Sequence, residues 1–239
     1  MLVMDPDETT SAPRTARAAA RELLTSQILE TARAHLVEHG ASDLSLRAVA
    51  RELGMASSAV YRYFPSRDAL LTALIVDSYN ALGQAAEDAD ASVERRDDHL
   101  GRWRAIGQAV RDWAIAHPHE YALIYGTPIP GYDAPQDTID PAARVSLVLL
   151  GLLRDIAPPA DGIDAPITDE LAAQVQVVRD LAELDLPDQQ ILRGITAWVL
   201  IYGLVNFELF GSFKNSFDDA SALFAHQLDL MAAHMGLAV

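Results

Sequence analysis

Apolar residues recur along this chain every three or four positions, the spacing of one helix face, and no segment shows the sustained two-residue alternation of a strand. Proline and glycine fall between the apolar runs at intervals that suit helix ends. The segment 126–132, which holds two prolines and two glycines, cannot be helical. The pattern predicts an all-α protein, with helices over about 14–39, 46–53, 57–63, 67–86, 98–116, 119–125, from 141, 169–184, 188–210 and 217–235.

Two short helical patterns follow each other closely between residues 45 and 71. Ser45 is of the residue type that caps a helix, because its hydroxyl can accept a hydrogen bond from an otherwise unpaired amide. Gly54 stands where the first helix must end in a left-handed conformation, and Pro65 stops the second helix. A turn this short joins two helices at a steep angle, so the second can lie in the major groove of DNA.

The second of these helices carries donors suited to nucleic acid. Small side chains keep its beginning slim, and its hydroxyl and guanidinium groups belong to Ser57, Ser58, Tyr61, Arg62 and Tyr63. Such groups bond phosphate oxygens and base edges. Two amphipathic helices joined by a glycine turn also occur without any DNA-binding role. The tyrosines and the basic residues of the block 61–70 favour a DNA-binding role, whereas Phe64 is expected in the core.

Over about 21–78 the chain resembles the TetR/AcrR-type one-component transcriptional regulators. The resemblance rests on the serine-capped helix, the glycine turn and the block YRYFPSR over 61–67. It implies that three side chains approach bases, namely Arg47, Ser57 and Ser58. It also implies that four hold phosphates, namely Ser45, Tyr61, Tyr63 and Arg67. Arg67 stands where lysine is usual, and we expect the role to survive because arginine keeps the charge and adds a fork that suits phosphate.

The first long helix completes a three-helix domain. Its stripe of Leu24, Ile28, Ala32 and Leu36 can pack beneath the two short helices, with Gly40 as its end. The formal net charge of the whole chain is −16, yet the segment 11–67 holds eight arginines and five acidic residues, a local +3 that leaves −19 elsewhere. Charge attraction to DNA acts over about 8 Å at physiological salt, so a distant acidic domain does not forbid a specific grip. Solubility alone also explains an acidic surface.

The segment 195–210 is apolar on nearly every side, which a helix tolerates only when neighbours cover it all round. Together with the last helix, it predicts a homodimer through a four-helix interface made by the last two helices. Two joined domains about 34–36 Å apart can engage successive major-groove faces of a palindromic operator. The alternative is that this helix forms the core of a large monomer.

No membrane segment is predicted. The apolar runs 145–153 and 195–205 fall short of the ~20 residues that a bilayer requires. Residues 1–13 are polar and lack the apolar run of a signal peptide. We therefore expect a cytoplasmic protein.

The C-terminal half resembles TetR-type proteins with a WHG-type regulatory domain, in the runs 117–135 and 198–203. Tyr202 holds the place of the histidine in the Trp-x-x-x-His-Gly pattern, and a tyrosine can still donate a hydrogen bond. The resemblance implies a helical pocket whose small-molecule effector alters the spacing of the two DNA-binding domains. Aromatic residues also pack into helical cores for their area alone. The candidate pocket residues are Trp103, Trp113, Tyr121, Tyr125, Trp198 and Tyr202.

Enzymatic chemistry finds little support in the sequence. The chain has no cysteine, and none of its seven histidines follows a glutamate by three positions, as metal-binding helix bundles require. A phosphate-binding glycine loop and a nucleophile elbow are absent as well. We expect no catalytic residue, no metal site and no cofactor.

These observations predict three regions: a disordered arm over 1–13, a helix-turn-helix DNA-binding domain over 14–66, and a helical effector-binding and dimerisation domain over 67–239. The predicted function is sequence-specific DNA binding by a transcriptional repressor that a small-molecule effector releases from its operator. The alternative is a helical adaptor that binds protein without reading DNA. Removal of Tyr63 and Arg67 discriminates between the two, because an adaptor should keep its partner.

Overall fold

The computed structural model describes residues 12–157, 165–217 and 219–237. In this part of the chain the regular structure is entirely helical, which confirms the predicted all-α class. Two 3₁₀ turns, Ala41–Asp43 and Gln136–Thr138, accompany ten α-helices. The helices are α1 (Ala12–His39), α2 (Leu46–Glu52), α3 (Ser57–Val60), α4 (Arg67–Ser92), α5 (His99–Ala116), α6 (Pro118–Tyr125), α7 (Ile139–Asp155), α8 (Asp169–Leu181), α9 (Asp188–Leu209) and α10 (Ser221–Met235).

The predicted start and end of α2 are confirmed. The Ser45 hydroxyl accepts a hydrogen bond of 3.1 Å from the amide of Ala48, so it satisfies one of the unpaired donors of the first turn. Gly54 has φ +64°, the left-handed conformation that glycine adopts without strain. The turn expected between the two short helices is therefore present.

Helix α3 is shorter than predicted and ends at Val60 instead of Tyr63. The amides of Arg62 and Tyr63 bond to carbonyls three residues back, so the chain tightens into a 3₁₀-like turn before Pro65. Proline has no amide hydrogen with which to continue the helix. The predicted end of this helix was therefore three residues too late.

Other boundaries move by a few residues. Helix α4 runs to Ser92, six residues beyond the prediction. Helix α7 begins at Ile139 because Pro141 lies in the first turn, where a missing amide hydrogen costs nothing. Helix α10 begins at Ser221, after a turn in which Asn215 has φ +66°. The predicted arm falls mostly on residues 1–11, outside the described residues.

The chain divides into two compact units. The first comprises Met1–Ile75 and Pro128–Ala134, and the second Val76–Thr127 and Pro135–Val239, so that α4 passes from one to the other. In the first unit the predicted stripe of α1 is confirmed, because Ile28, Ala32 and Leu36 are buried and Leu24 is half-buried. The Thr72 hydroxyl lies 2.9 Å from the Tyr132 hydroxyl, which connects the non-helical segment 126–132 to α4 within this unit.

The core of the second unit is formed mainly by α5, α7, α9 and α10. Gly107 lets α5 and α10 approach closely, because it has no side chain: a Cβ atom there would lie only 2.8 Å from a methyl carbon of Leu228. The buried Trp103 indole donates to the Leu228 carbonyl over 2.8 Å at the same crossing. Helix α8 packs on α9 through a separate small cluster of Val175, Leu184 and Ile191. This arrangement leaves α9 between the main core and α8.

Within one chain α9 is not covered all round, which is the arrangement expected if one of its sides faces another subunit; the dimer interface itself stays a prediction. Val199 and Phe207 are 55% and 54% exposed, respectively. The prediction that no apolar segment is long enough for a membrane was wrong for α9, because α9 is the one helix in the described chain that is long and apolar enough to cross a bilayer. Core helices of soluble proteins meet the same criterion.

Candidate nucleic-acid interface and ligand cavities

The short helix α3 and the turn after it present their polar side chains outward. Val60 and Phe64 are buried and anchor the segment, which confirms the core position expected for Phe64. Three predicted DNA-contact residues are fully on the surface: Arg47, Ser58 and Arg62. Tyr61 is 43% exposed, while Ser57 and Tyr63 are half-buried. The segment therefore offers hydroxyl and guanidinium donors from a fixed backbone.

Ser45 and Arg67 have structural partners inside the first unit. Ser45 caps α2, as described above. The Arg67 guanidinium donates to the carbonyls of Leu44 at 3.2 Å, Ala41 at 2.8 Å and Ser42 at 3.4 Å. It holds the turn that leads into α2, a role that sequence reasoning missed because these carbonyls lie more than twenty positions away. The phosphate contacts implied for both residues stay predictions.

Tyr63 is positioned by a residue of α1. The Arg21 guanidinium lies 5.3 Å from the centre of the Tyr63 ring, within the range of a cation–π interaction. This contact joins α1 to the end of the α3 segment. No pattern in the sequence pointed to it. It places one more positive charge beside the predicted DNA-contact residues.

Exposed charges of both signs lie on and around these helices. The exposed arginines are Arg17, Arg47, Arg51, Arg62 and Arg21, the last of which lies over the Tyr63 ring. The five acidic residues of the segment 11–67 are exposed as well, so the formal excess of +3 counted above belongs to all eight arginines of that segment and not to these five. A surface of this kind attracts phosphate, and the attraction weakens with added salt.

The predicted effector residues of the second unit mostly pack against other aromatic rings. The rings of Tyr125 and Tyr202 lie 4.4 Å apart, and the Tyr125 hydroxyl donates to the Tyr202 hydroxyl over 3.0 Å. Burial raises the pKa of Tyr125 to about 12 and raises the pKa values of Tyr121 and Tyr202 well above their ordinary range, so all three phenols are neutral at physiological pH. The Tyr121 hydroxyl is buried without a hydrogen-bond partner. Trp113 stacks on His117, with the ring centres 5.0 Å apart.

The two remaining candidates line cavities. A pocket of about 300 Å³ lies between α7, α8 and α9, and Trp198 forms part of its wall. Its lining is Ser146, Leu149, Leu150, Leu153, Val178, Gly194, Ile195 and Trp198. A much smaller void of about 10 Å³ lies deeper and reaches Trp103 and Met235. The two cavities share Leu149, Leu153 and Gly194, so the pocket leads into the core. The ligand roles predicted for all six aromatic residues stay predictions.

A further cavity of about 270 Å³ lies beyond the end of α9. It is bordered by Glu208, Phe213, Lys214 and Phe217, among others. Glu208 is engaged by Arg111, whose guanidinium donates to both carboxylate oxygens over 2.8 and 2.6 Å. Within the described residues no group of three or more His, Asp or Glu side chains is arranged to hold a metal ion.

Comparison with known proteins assigns both halves of the chain. A family profile described as bacterial regulatory proteins, tetR family, matches residues 28–74, and one described as tetracyclin repressor-like, C-terminal domain, matches residues 103–231. The HTH-type transcriptional regulator Rv1816 of Mycobacterium tuberculosis is 38% identical over 229 residues, which cover 91% of this chain and 94% of that protein. This chain belongs to the TetR family of bacterial regulatory proteins. Mb1846 of Mycobacterium bovis, also an HTH-type transcriptional regulator, matches to the same extent.

Solved structures agree with the TetR-family assignment. The crystal structure of the regulatory protein SCO4313 superposes with a TM-score of 0.76 at 31% identity, over 90% of this chain and 98% of that one. PfmR of Thermus thermophilus, a TetR family transcriptional regulator, gives a TM-score of 0.54 at 18% identity over 85% and 96% of the two chains, which shows the shared fold. The predicted recognition is confirmed, and this TetR-family chain is a DNA-binding transcriptional regulator. Transcriptional regulators are not an enzyme class.

Proposed function

We propose that this TetR-family chain acts as a homodimeric repressor that binds a palindromic operator and leaves it when a small-molecule effector binds. The observation that carries the DNA-binding part is the exposed row of donors on the α3 segment, held from beneath by Val60 and Phe64. A donor on an anchored backbone loses little freedom when it meets DNA. A cytoplasmic location follows from action on operator DNA.

The exposures divide the predicted contacts into two groups. Arg47, Ser58, Tyr61 and Arg62 are free to reach DNA directly. Ser45 and Arg67 act first on the protein, by capping α2 and by holding the turn before it. Their effect on DNA affinity combines any phosphate contact with the placement of α2.

Dimerisation is proposed through α9 and α10. The exposed stripe of α9 contains Ile195, Val199 and Phe207, and Leu230 of α10 is also exposed. An apolar surface of this kind on a family of DNA-binding regulators suits a symmetric helix-pair interface. Two copies also raise affinity, because the second domain binds from a high effective concentration once the first is bound.

The test is fluorescence anisotropy with duplex DNA selected by the protein from a random pool. We expect Arg47→Ala to weaken binding to the selected duplex by about 1–3 kcal/mol if it contacts a base, and Arg62→Ala to lower the salt slope by about one if it contacts a phosphate. Arg95→Ala is the matched control, because Arg95 is an exposed arginine of the second unit, paired with Asp97.

An adaptor would behave differently in the same experiment. It would select no sequence, and the combined change of Tyr63→Ala and Arg67→Ala would leave its protein partner bound. An equal loss of DNA affinity in Arg95→Ala and Arg47→Ala would also contradict the proposed surface, because it would show that binding depends on overall charge and not on these residues. The effector part is tested separately, by the response of the same anisotropy signal to added ligands.

A further inference from the structure

The pocket between α7, α8 and α9 is almost purely apolar. Among the described residues, none of the eight that line it is charged. Its polar groups are the Ser146 hydroxyl and the Trp198 indole nitrogen, each able to make one or two hydrogen bonds. The volume of about 300 Å³ lies at the lower end of the range for small-molecule sites, ~300–1,000 Å³.

Arg193 of α9 is buried but outside the pocket lining, Arg144 of α7 is paired with Glu87, and two further arginines of α7 and α8 are committed elsewhere. Arg154 of α7 donates to the carbonyls of Ala182 and Glu183. Arg179 of α8 pairs with Asp188 and donates to the Leu186 carbonyl. A ligand carboxylate in the pocket would therefore lose its water without gaining a cation, and a ligand ammonium would find no carboxylate in the lining. Burial of an unpaired charge is strongly unfavourable.

The pocket continues inward at Gly194. A Cβ atom there would lie 2.6 Å from the Cδ2 methyl of Leu153, so this methyl rests directly over the glycine backbone. Leu153 and Gly194 also border the deeper void that reaches Trp103. A rotamer change of Leu153 would join the two spaces, since a leucine side chain moves more easily than a backbone. A slender ligand can follow such a channel.

We propose that this α7–α8–α9 pocket is the effector site and that its ligand is an uncharged, largely hydrocarbon molecule with at most one or two hydrogen-bonding groups. The proposal rests on the effector regulation proposed above. The ligand's apolar end lies toward Leu153 and Gly194. Its polar group, if it has one, bonds Ser146 or Trp198. The aromatic cluster around Tyr125 and Tyr202 contacts this site through Trp198, whose ring centre lies 5.6 Å from that of Tyr202.

The first test uses the uncharged fluorophore N-phenyl-1-naphthylamine, whose emission rises in apolar surroundings. We expect saturable binding to the full chain and displacement by decanol. Decanoate and decyltrimethylammonium share the chain length but carry a charge, so each should compete at least tenfold more weakly. Stronger competition by either charged compound, or no saturable binding at all, would overturn the proposal.

Two substitutions on α7 locate the site. Leu150→Trp fills the pocket, and Leu147→Trp adds the same volume at a position that is 57% exposed and outside the lining. We expect at least a tenfold loss of fluorophore affinity in the first and none in the second, with the helical circular dichroism of both compared with wild type. Ser146→Phe serves as the filling variant if Leu150→Trp does not fold. Equal affinity in the filled variant and its control would overturn the proposal.

A second copy of the chain is the competing occupant, because Ile195 and Trp198 also lie on the partly exposed side of α9. In that case fluorophore binding would appear only on dilution to monomer, and the proposal would fall. The regulatory part has its own readout, the release of selected DNA by decanol. If the fluorophore binds the pocket but decanol does not release DNA, the pocket is a ligand site and the proposed effector release is contradicted. If the protein binds selected DNA normally but the fluorophore does not bind, the proposed DNA-binding function stands and the proposed effector site is contradicted.

Discussion

At the scale of single residues, the structure gives Arg67 a task that a lysine could not repeat. Its planar fork reaches three backbone carbonyls of the turn before α2, so one side chain fixes the entry to the DNA-binding helices. A lysine would retain the charge but could not fork across the same acceptors. This accounts for the arginine at a position where the resemblance leads one to expect lysine.

We expect Arg67→Ala to lower the free energy of unfolding by about 1.5–3 kcal/mol, since it removes charge-assisted hydrogen bonds to carbonyls. The free energy of unfolding of Arg67→Lys should lie between the values for wild type and Arg67→Ala. Urea unfolding followed by circular dichroism measures the change, with the exposed Arg62→Ala as control, expected within about 0.5 kcal/mol of wild type. An unchanged midpoint in Arg67→Ala would refute the holding role.

The buried phenols predict a stability change in alkaline solution. Burial raises the pKa of Tyr125 from 10.0 to about 12. The unfolded chain thus loses its phenolic protons first, so the stabilisation is complete below about pH 10 and declines as the pH approaches 12. Urea midpoints across this range should fall for wild type and fall less for Tyr125→Phe. Phenolate absorbance that rises in one step at the ordinary tyrosine pKa would contradict the burial.

At the scale of elements, α7 is tied to α4 near both ends. The Arg144 guanidinium donates to Glu87 over 2.8 and 2.6 Å and to the Asn80 carbonyl over 2.8 Å. At the other end, the buried Arg102 of α5 bridges Asp155 of α7 and Asp90 of α4. The proposed effector site lies on α7 between these two ties. A ligand that shifts α7 therefore acts on α4, which continues into the DNA-binding unit.

Allosteric ligands typically change affinity at the second site about 5–150-fold. We expect Arg144→Ala to abolish most of the change in DNA affinity that the ligand causes. Binding of the fluorophore itself should change little, because Arg144 is outside the pocket lining. Anisotropy with selected DNA, with and without decanol, gives the ratio. Arg104→Ala is the control, since it removes an ion pair between α5 and α10. An equal loss of coupling in both variants would contradict transmission through Arg144.

The elements also show how far sequence patterns extend. The cap at Ser45 and the left-handed Gly54 are local features, and both were predictable. Helix α4 passes through Gly83, as predicted, and runs on to Ser92; the missing side chain at Gly83 makes room for Arg144, whose Cβ would lie 2.6 Å from a Cβ at that position. The ties of α7 and the pocket join residues far apart in the chain, and no spacing rule indicates them.

At the scale of the whole molecule, the uncovered stripe of α9 predicts self-association. Val199 is 55% exposed, and a glutamate there would place an unpaired charge in the proposed interface. We expect Val199→Glu to sediment as a monomer and to bind selected DNA about 10²–10⁴ times more weakly, since the gain from bivalent binding is lost. Leu181→Glu on α8, at a position 83% exposed, is the control and should remain a dimer. A monomeric wild type would refute the interface.

The central claim is that two copies of the exposed α3 segment read DNA together, and the spacing of the selected half-sites tests it most directly. The account predicts a palindrome whose half-site centres are about 10–10.5 base pairs apart or a multiple of that, the helical repeat of DNA. Insertion of about half a turn between the half-sites should reduce affinity to that of one half-site. Full affinity after the insertion, or a selection that yields no common sequence, would contradict the account.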